Sequence, residues 1–276
     1  MADLQAPVRL CVLTSLMMVA SLAADFSRAE ESGESAAPGS TITVPGFDVK
    51  ITRQGHQLQL SWPDNSPRRE RKMPRVYTSL RDVLSINVDG TRVFTVTPEP
   101  DHWRVHRVDK KPWSGKLTFR FDRKPIFASE LQPIAAQSDG TFVLRAESAT
   151  VQGQKVRFEP QPHKNTIGYW TGRDDSATWT LRTREAGDWN VGILQGCGKN
   201  QGGSDAQLTL LDSRGGRIDE LDFKVQETGH FQNFVWRHLG SVSMPQPGVY
   251  KIRIQPKEIA HAALMDVRMI HLSPRR

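Results

Sequence analysis

The stretch Thr228–Ile254 constrains this chain most. Phe234, Trp236, Val242 and Met244 share one parity, and Tyr250, Ile252 and Ile254 continue it, while Lys251, Arg253 and Gln255 take the other. Alternation with period two means strands with one face buried and one face wet. Pro245, Pro247 and Gly248 interrupt the run where the chain must turn. The reading is therefore two strands joined by a turn, with Trp236 in the core. The same alternation recurs at Leu58, Leu60 and Trp62, at Leu117, Phe119 and Phe121, at Ala177, Trp179 and Leu181, and at Trp189, Val191 and Ile193. Trp179 and Trp189 are expected in the core by the same rule. Long helical periodicity is absent, so the fold class is all-β, with two β-sandwich-like domains.

The divisions follow from composition. Residues 1–29 have the form of a secretory signal peptide: Arg9 ahead of the apolar run Leu10–Ala24, then small-residue cleavage sites. That run is too short to span a bilayer and no other run is long enough, which points to a secreted or periplasmic protein with no membrane span after cleavage. Residues 30–44 read as a flexible acidic leader, 45–125 as a small β domain, 126–140 as a packed connector, and 141–276 as a second β domain. Asp89-Gly90 signals a hairpin, Thr78–Leu84 permits a short helix, and residues 63–75 read as a loop. Beyond the leader the one cysteine is Cys197, expected as a small buried residue.

The chain carries 37 Lys and Arg against 30 Asp and Glu, a net charge of +7. Residues 45–125 hold 17 basic and 9 acidic side chains, a local excess of 17 − 9 = 8, whereas residues 126–276 hold 18 and 16. The loop containing Arg68, Arg69, Arg71, Lys72 and Arg75 concentrates this excess and suits an anionic partner. Aromatic residues are not interleaved with those charges, which disfavours nucleic acid. There is no G-x-S-x-G, no H-E-x-x-H and no phosphate-loop context, and the adjacent acids Asp174-Asp175 and Glu220/Asp222 lie on loops or strand edges. No catalytic constellation emerges, and a non-enzyme is expected.

Five segments of the second domain resemble carbohydrate-binding modules of the family 6 and family 35 type. Arg145-Ala146-Glu147 with Gly153 is similar to their opening strand, and Ala186-Gly187-Asp188-Trp189 to a strand start. Thr228-Gly229-His230-Phe231-Gln232, Pro247-Gly248-Val249-Tyr250 and Leu264-Met265-Asp266 resemble their later elements, in order, over roughly residues 142–272. The Gly196–Ser204 variant is similar to C-terminal modules of secreted bacterial α-L-fucosidases and sulfatases. The resemblance implies a galactose-binding-like jelly roll that binds a glycan or polysaccharide, in an anionic form if the basic loop takes part, and performs no chemistry. It implies ligand contacts from loops at one sandwich end: Tyr169, Trp170, Lys199, Asn200, His230, Phe231 and His261. Trp170 suits either stacking or the core, and Phe231 stands where the family has tryptophan. The resemblance also implies a structural calcium held by Glu147 and Asp266, although Arg145 replaces the first acid of the family's triplet. Two other readings remain open: a protein-interaction jelly roll without a sugar site, and an accessory or remnant of a secreted glycoside hydrolase or sulfatase.

Overall fold

A computed structural model describes residues 39–85 and 93–275. The signal-like residues 1–29, most of the leader and the Asp89-Gly90 pair lie outside the described residues. The N-terminal strands are β1 (Ser40–Ile42), β2 (Lys50–Gln54), β3 (Gln57–Ser61), β4 (Glu70–Pro74), β5 (Leu80–Ser85), β6 (Phe94–Pro98), β7 (His102–Arg107) and β8 (Leu117–Phe121). They form a five-stranded sheet, β1-β2-β3-β8-β5, and a three-stranded one, β4-β7-β6. Leu58 pairs with Phe119 and Leu60 with Leu117, and all four are fully buried. Alternation built this half as expected.

Three segments differ from the sequence reading. Ser40–Ile42 pairs with β2 although it belongs to the acidic leader. Leu80–Ser85 is a strand rather than a helix, because β8 supplies a ladder for it. Residues 70–74 are a strand, not loop: Met73 faces Trp103 in β7, and Arg71 lies between the Trp62 and Trp113 rings, 5.4 and 5.5 Å from their centroids. A guanidinium sandwiched by indoles packs as a core group, and a reading by charge alone places it in water.

After β9 (Ile134–Ala135) come β10 (Phe142–Arg145), β11 (Thr150–Gln152), β12 (Arg157–Glu159), β13 (Thr166–Gly168), β14 (Ser176–Thr183), β15 (Gly187–Gly196), β16 (Asp205–Asp212), β17 (Arg217–Lys224), β18 (Val235–Met244), β19 (Gly248–Glu258) and β20 (Asp266–Pro274). They make a front sheet, β12-β13-β20-β15-β18 with β10 also on β20, and a back sheet, β11-β14-β19-β16-β17 with β9 also on β14. The chain passes repeatedly from one sheet to the other, as in a jelly roll. Thus β18 and β19, adjacent in sequence, do not pair: β18 joins β15 and β19 joins β14 and β16. Between the sheets lie Trp179, Trp189, Val191, Ile193, Leu208, Leu210, Ile252, Ile254, Ile270 and Leu272, all buried.

Trp236 departs from its expected place: it is 51% exposed, whereas Val242 and Met244, of the same parity, are buried. The cause is a β-bulge. Val191 of β15 pairs with Gly240 and Gly192 with His238, so Leu239 is an extra residue in β18. One extra residue flips every side chain on one side of it. Gly240 takes φ +132°, and a Cβ there would lie 3.0 Å from Leu221 Cδ2.

The N-terminal strands and the jelly roll share one continuous apolar cluster. Arginines join them as well. The buried Arg75 donates to the Ala149 carbonyl at 2.8 Å, Arg157 donates to the Pro98 carbonyl at 2.8 Å and to Glu99 at 2.9 Å, and Arg123 lies 2.8 Å from Glu147. The basic excess of the N-terminal half is thus partly structural. Arg68 is paired with Asp64, Arg71 and Arg75 are buried, and Arg69 and Lys72 remain exposed.

Replacement of Gly240 tests the bulge. Gly240→Val is expected to destabilise the protein by about 1–3 kcal/mol in urea unfolding, from backbone strain and the clash with Leu221. Unchanged stability would mean that the bulge is not required.

Candidate functional site

Hydrogen bonds join several of the loops from which the resemblance implies ligand contacts. Cys197 and Thr228 exchange backbone and hydroxyl hydrogen bonds, the Asn200 N–H donates to Glu227 at 2.8 Å, and the Ala262 N–H donates to Gln201 Oε1 at 3.0 Å. Lys199, Asn200, His230 and His261 are exposed on these loops. His230 caps a turn, its Nδ1 accepting the Gln232 N–H at 3.1 Å. Phe231 offers no free ring face on the side of Gly198, where a Cβ would be 2.6 Å from Phe231 Cε2. Its ring is packed on that glycine.

The two residues after β13 separate. Trp170 is fully buried, its indole N–H donating to the Ile167 carbonyl at 2.9 Å and its own carbonyl accepting the Leu264 N–H. It belongs to the core, not to a sugar platform. Tyr169 takes φ +62°, which turns it outward, and the Arg157 guanidinium lies 3.8 Å from its ring centroid. Arg157 is the same residue that contacts Glu99, so Tyr169 is engaged beside the N-terminal strands rather than among the loops.

The calcium residues also separate. Glu147 is buried and ion-paired with Arg123, and burial pushes its carboxyl up while Arg123 opposes this. Asp266 is buried beside Glu159: a Cβ on Gly168 would lie 2.9 Å from both Asp266 Oδ1 and Glu159 Oε2. Lys164 pairs with Glu159. Among the described residues no group of three His, Cys, Asp or Glu side chains is placed to hold a metal ion. With Arg123 on one acid and Lys164 beside the other, these residues do not fit the oxygen-rich shell that calcium requires. Burial and the neighbouring Glu159 hold the Asp266 carboxyl well above the usual carboxylate range.

The open ring surface lies on the outer face of the front sheet. Register sets its rows. Trp236, Leu194 and Met269 face one another across β18, β15 and β20, with Arg145 next to Met269 on β10. His238, Gly192 and His271 form the next row, with Val143 beside His271. Asn190 and Ser273 form a third. Residues opposite each other in register share a face.

Trp236 leans across the glycine. A Cβ on Gly192 would be 3.5 Å from Trp236 Cζ3, and the Trp236 and His271 rings meet edge-on with centroids 6.3 Å apart. Phe234, of the same parity and before β18, carries the Arg268 guanidinium 3.7 Å over its ring. Arg268 is itself an extra residue, since Leu194 pairs with Met269 and Gln195 with Val267. It is anchored by donating to the Lys164 carbonyl at 2.7 Å and to the His163 carbonyl at 2.9 Å. Trp236 and His238 lie two residues apart on β18, about 7 Å along one strand face, and Phe234 precedes them just outside the strand. Around them stand imidazoles, the Asn190 amide, the Ser273 hydroxyl and Arg145, whose charge also acts on the buried Glu147. Such a surface can stack on an apolar ring face and give and accept directional hydrogen bonds at its edge.

No family model matches the sequence, and no curated protein matches it. Several solved structures are similar. An α-L-fucosidase from Vibrio sp. strain EJY3 matches at 12% identity over 85% of this chain and 42% of that one, TM-score 0.34. The Cry4Aa toxin from Bacillus thuringiensis matches at 14% identity over 58% of this chain and 27% of that one, TM-score 0.44. A family 35 carbohydrate-binding module from Clostridium thermocellum matches at 14% identity over 48% of this chain and 97% of that one, TM-score 0.40. The chain thus spans less than half the length of the fucosidase and of the toxin. Scores this low carry no argument, and the all-β architecture stands on the strand pairing itself.

The Asp266 carboxyl gives a pH prediction. The unfolded chain releases this proton in the ordinary carboxylate range, and the folded chain holds it to higher pH, so folding loses stability as pH rises through that interval and levels off above it. Asp266→Asn removes the loss. The melting temperature of the variant relative to wild type should therefore rise as pH is raised from the ordinary carboxylate range upward. A difference that stays constant across this range would contradict the assignment.

Proposed function

We propose that this chain is an exported, non-catalytic protein that binds a glycan, with the Trp236 face of the front sheet as the ligand surface. One observation carries the reading: a large indole stands half exposed on a flat sheet face, over a glycine, with two imidazoles in the adjacent row. A tryptophan there is costly in water and adds little to the core. A pyranose presents an apolar C–H face that covers such an indole, and its hydroxyls match the histidines, Asn190 and Ser273. The resemblance of the five sequence segments to carbohydrate-binding modules supports the same ligand class, and the signal-like N-terminus supports export.

A glycan array probed with residues 30–276 tests the proposal. Retention on at least one neutral glycan is expected, and Trp236→Ala should weaken it at least tenfold. Because Trp236 is exposed, the same change should alter folding stability by less than about 1 kcal/mol. Retention unaffected by Trp236→Ala would move the site elsewhere, and an absence of retention on every glycan would favour the protein-interaction reading.

A further inference from the structure

The outer face of the back sheet has no exposed ring and a different chemistry. Register places Thr178, Arg253 and Thr209 in one row across β14, β19 and β16, and Thr180, Lys251 and Leu211 in the next. Arg182 stands opposite Val249, one outward position further along. Residues two apart on a strand lie about 7 Å apart, and diagonal neighbours on adjacent strands about 7–8 Å. Arg182, Lys251 and Arg253 thus form a line of three cations on one face.

Among the described residues none of the three has a carboxylate partner. The neighbouring acids toward the β17 edge are already neutralised: Glu220 pairs with Arg217 at 2.8 Å, Asp222 with Lys257 at 2.6 Å, and Asp205 with Lys224 at 2.8 Å. Adjacent like charges destabilise a sheet, and the side chains between them are hydroxyls. Thr178 and Thr180 are half-buried, and among the described residues their hydroxyls make no hydrogen bond. Leu211 lies in the same row as Lys251 and is only 4% exposed. The face therefore presents unpaired cations spaced by free donors, without the aromatic groups on which nucleic-acid bases stack.

We propose that the back-sheet face defined by Arg182, Lys251 and Arg253 binds an anionic polysaccharide, taking its carboxylate or sulfate groups one per cation while Thr178 and Thr180 donate to neighbouring oxygens. This rests on the reading of the chain as a glycan binder but uses a surface separate from Trp236. Its charges complement a chain whose anionic groups repeat along its length, and such binding weakens as salt rises.

Affinity electrophoresis of residues 30–276 through gels containing dextran sulfate, polygalacturonate or unmodified dextran tests it. Retardation by at least one of the two charged polymers and not by dextran is expected, and it should fall with added salt. The triple variant Arg182→Gln, Lys251→Gln, Arg253→Gln should lose at least tenfold in affinity. A control that removes three exposed cations elsewhere, Lys50→Gln, Arg69→Gln, Lys72→Gln, should lose less than threefold. Arg182→Gln alone, at an exposed position, should show a partial loss whether or not the triple variant folds. Trp236→Ala should leave this retardation intact, which separates the two surfaces. Equal loss in triple variant and control, loss in Trp236→Ala, no retardation of wild type by either polyanion, or equal competition by duplex DNA would each overturn the proposal.

Discussion

The pairing of β15 with its two neighbours is the constraint on which the front sheet depends. β15 keeps an unbroken alternation, with Trp189, Val191 and Ile193 inward and Asn190, Gly192 and Leu194 on the other side. Each neighbour carries one extra residue against it, Leu239 in β18 and Arg268 in β20. The first lets a single strand bury Val242 and Met244 yet present Trp236 and His238 to water. The second turns a guanidinium onto Phe234 and fixes it against the carbonyls of residues 163 and 164. A ladder without the insertion in β18 would turn Trp236 inward and leave the outer face without its largest ring.

The same logic gives the charge distribution its meaning. The N-terminal half is the more basic, but its arginines are largely used inside the protein. Arg71 packs between two indoles, Arg75 reaches a carbonyl of the jelly roll, and Arg123 meets the buried Glu147. Removing one partner of such a buried pair leaves an uncompensated charge, which is why these contacts hold the two halves in place more by exclusion than by net attraction. The cations that remain free in the back sheet belong to the half whose overall charge is nearly balanced. Net charge by segment draws attention to residues 68–75, whereas the register brings Arg182, Lys251 and Arg253 onto one face of the back sheet.

Much of the fold was legible in the sequence. Period-two alternation and turn residues identify most of the strands, and the buried set Leu58, Leu60, Phe119, Trp179 and Ile193 follows from parity. The site was less legible. Parity correctly groups Phe234 with Trp236 but assigns the pair to the core, because nothing in local propensity announces the flip at residues 239–240 except Gly240 within a strand pattern, the one signal that marks a bulge. Trp170 and Tyr169 are adjacent, and a single left-handed residue sends one inward and the other outward. The carboxylates Glu147 and Asp266 look alike in sequence, yet one meets Arg123 and the other Glu159, partners 24 and 107 positions away by numbering. Long-range pairing of this kind has no local signature.

The central claim is that the ligand surface is the outer face around Trp236 and not the loop end. Chemical-shift mapping of indole and backbone resonances during titration with a neutral oligosaccharide retained on the array tests it directly. The Trp236 indole and the amides of His238, Leu194, Met269 and His271 should shift together, with the Trp170 and Trp179 indoles unmoved. Shifts confined to Lys199, His230 and His261, with Trp236 silent, would contradict the account.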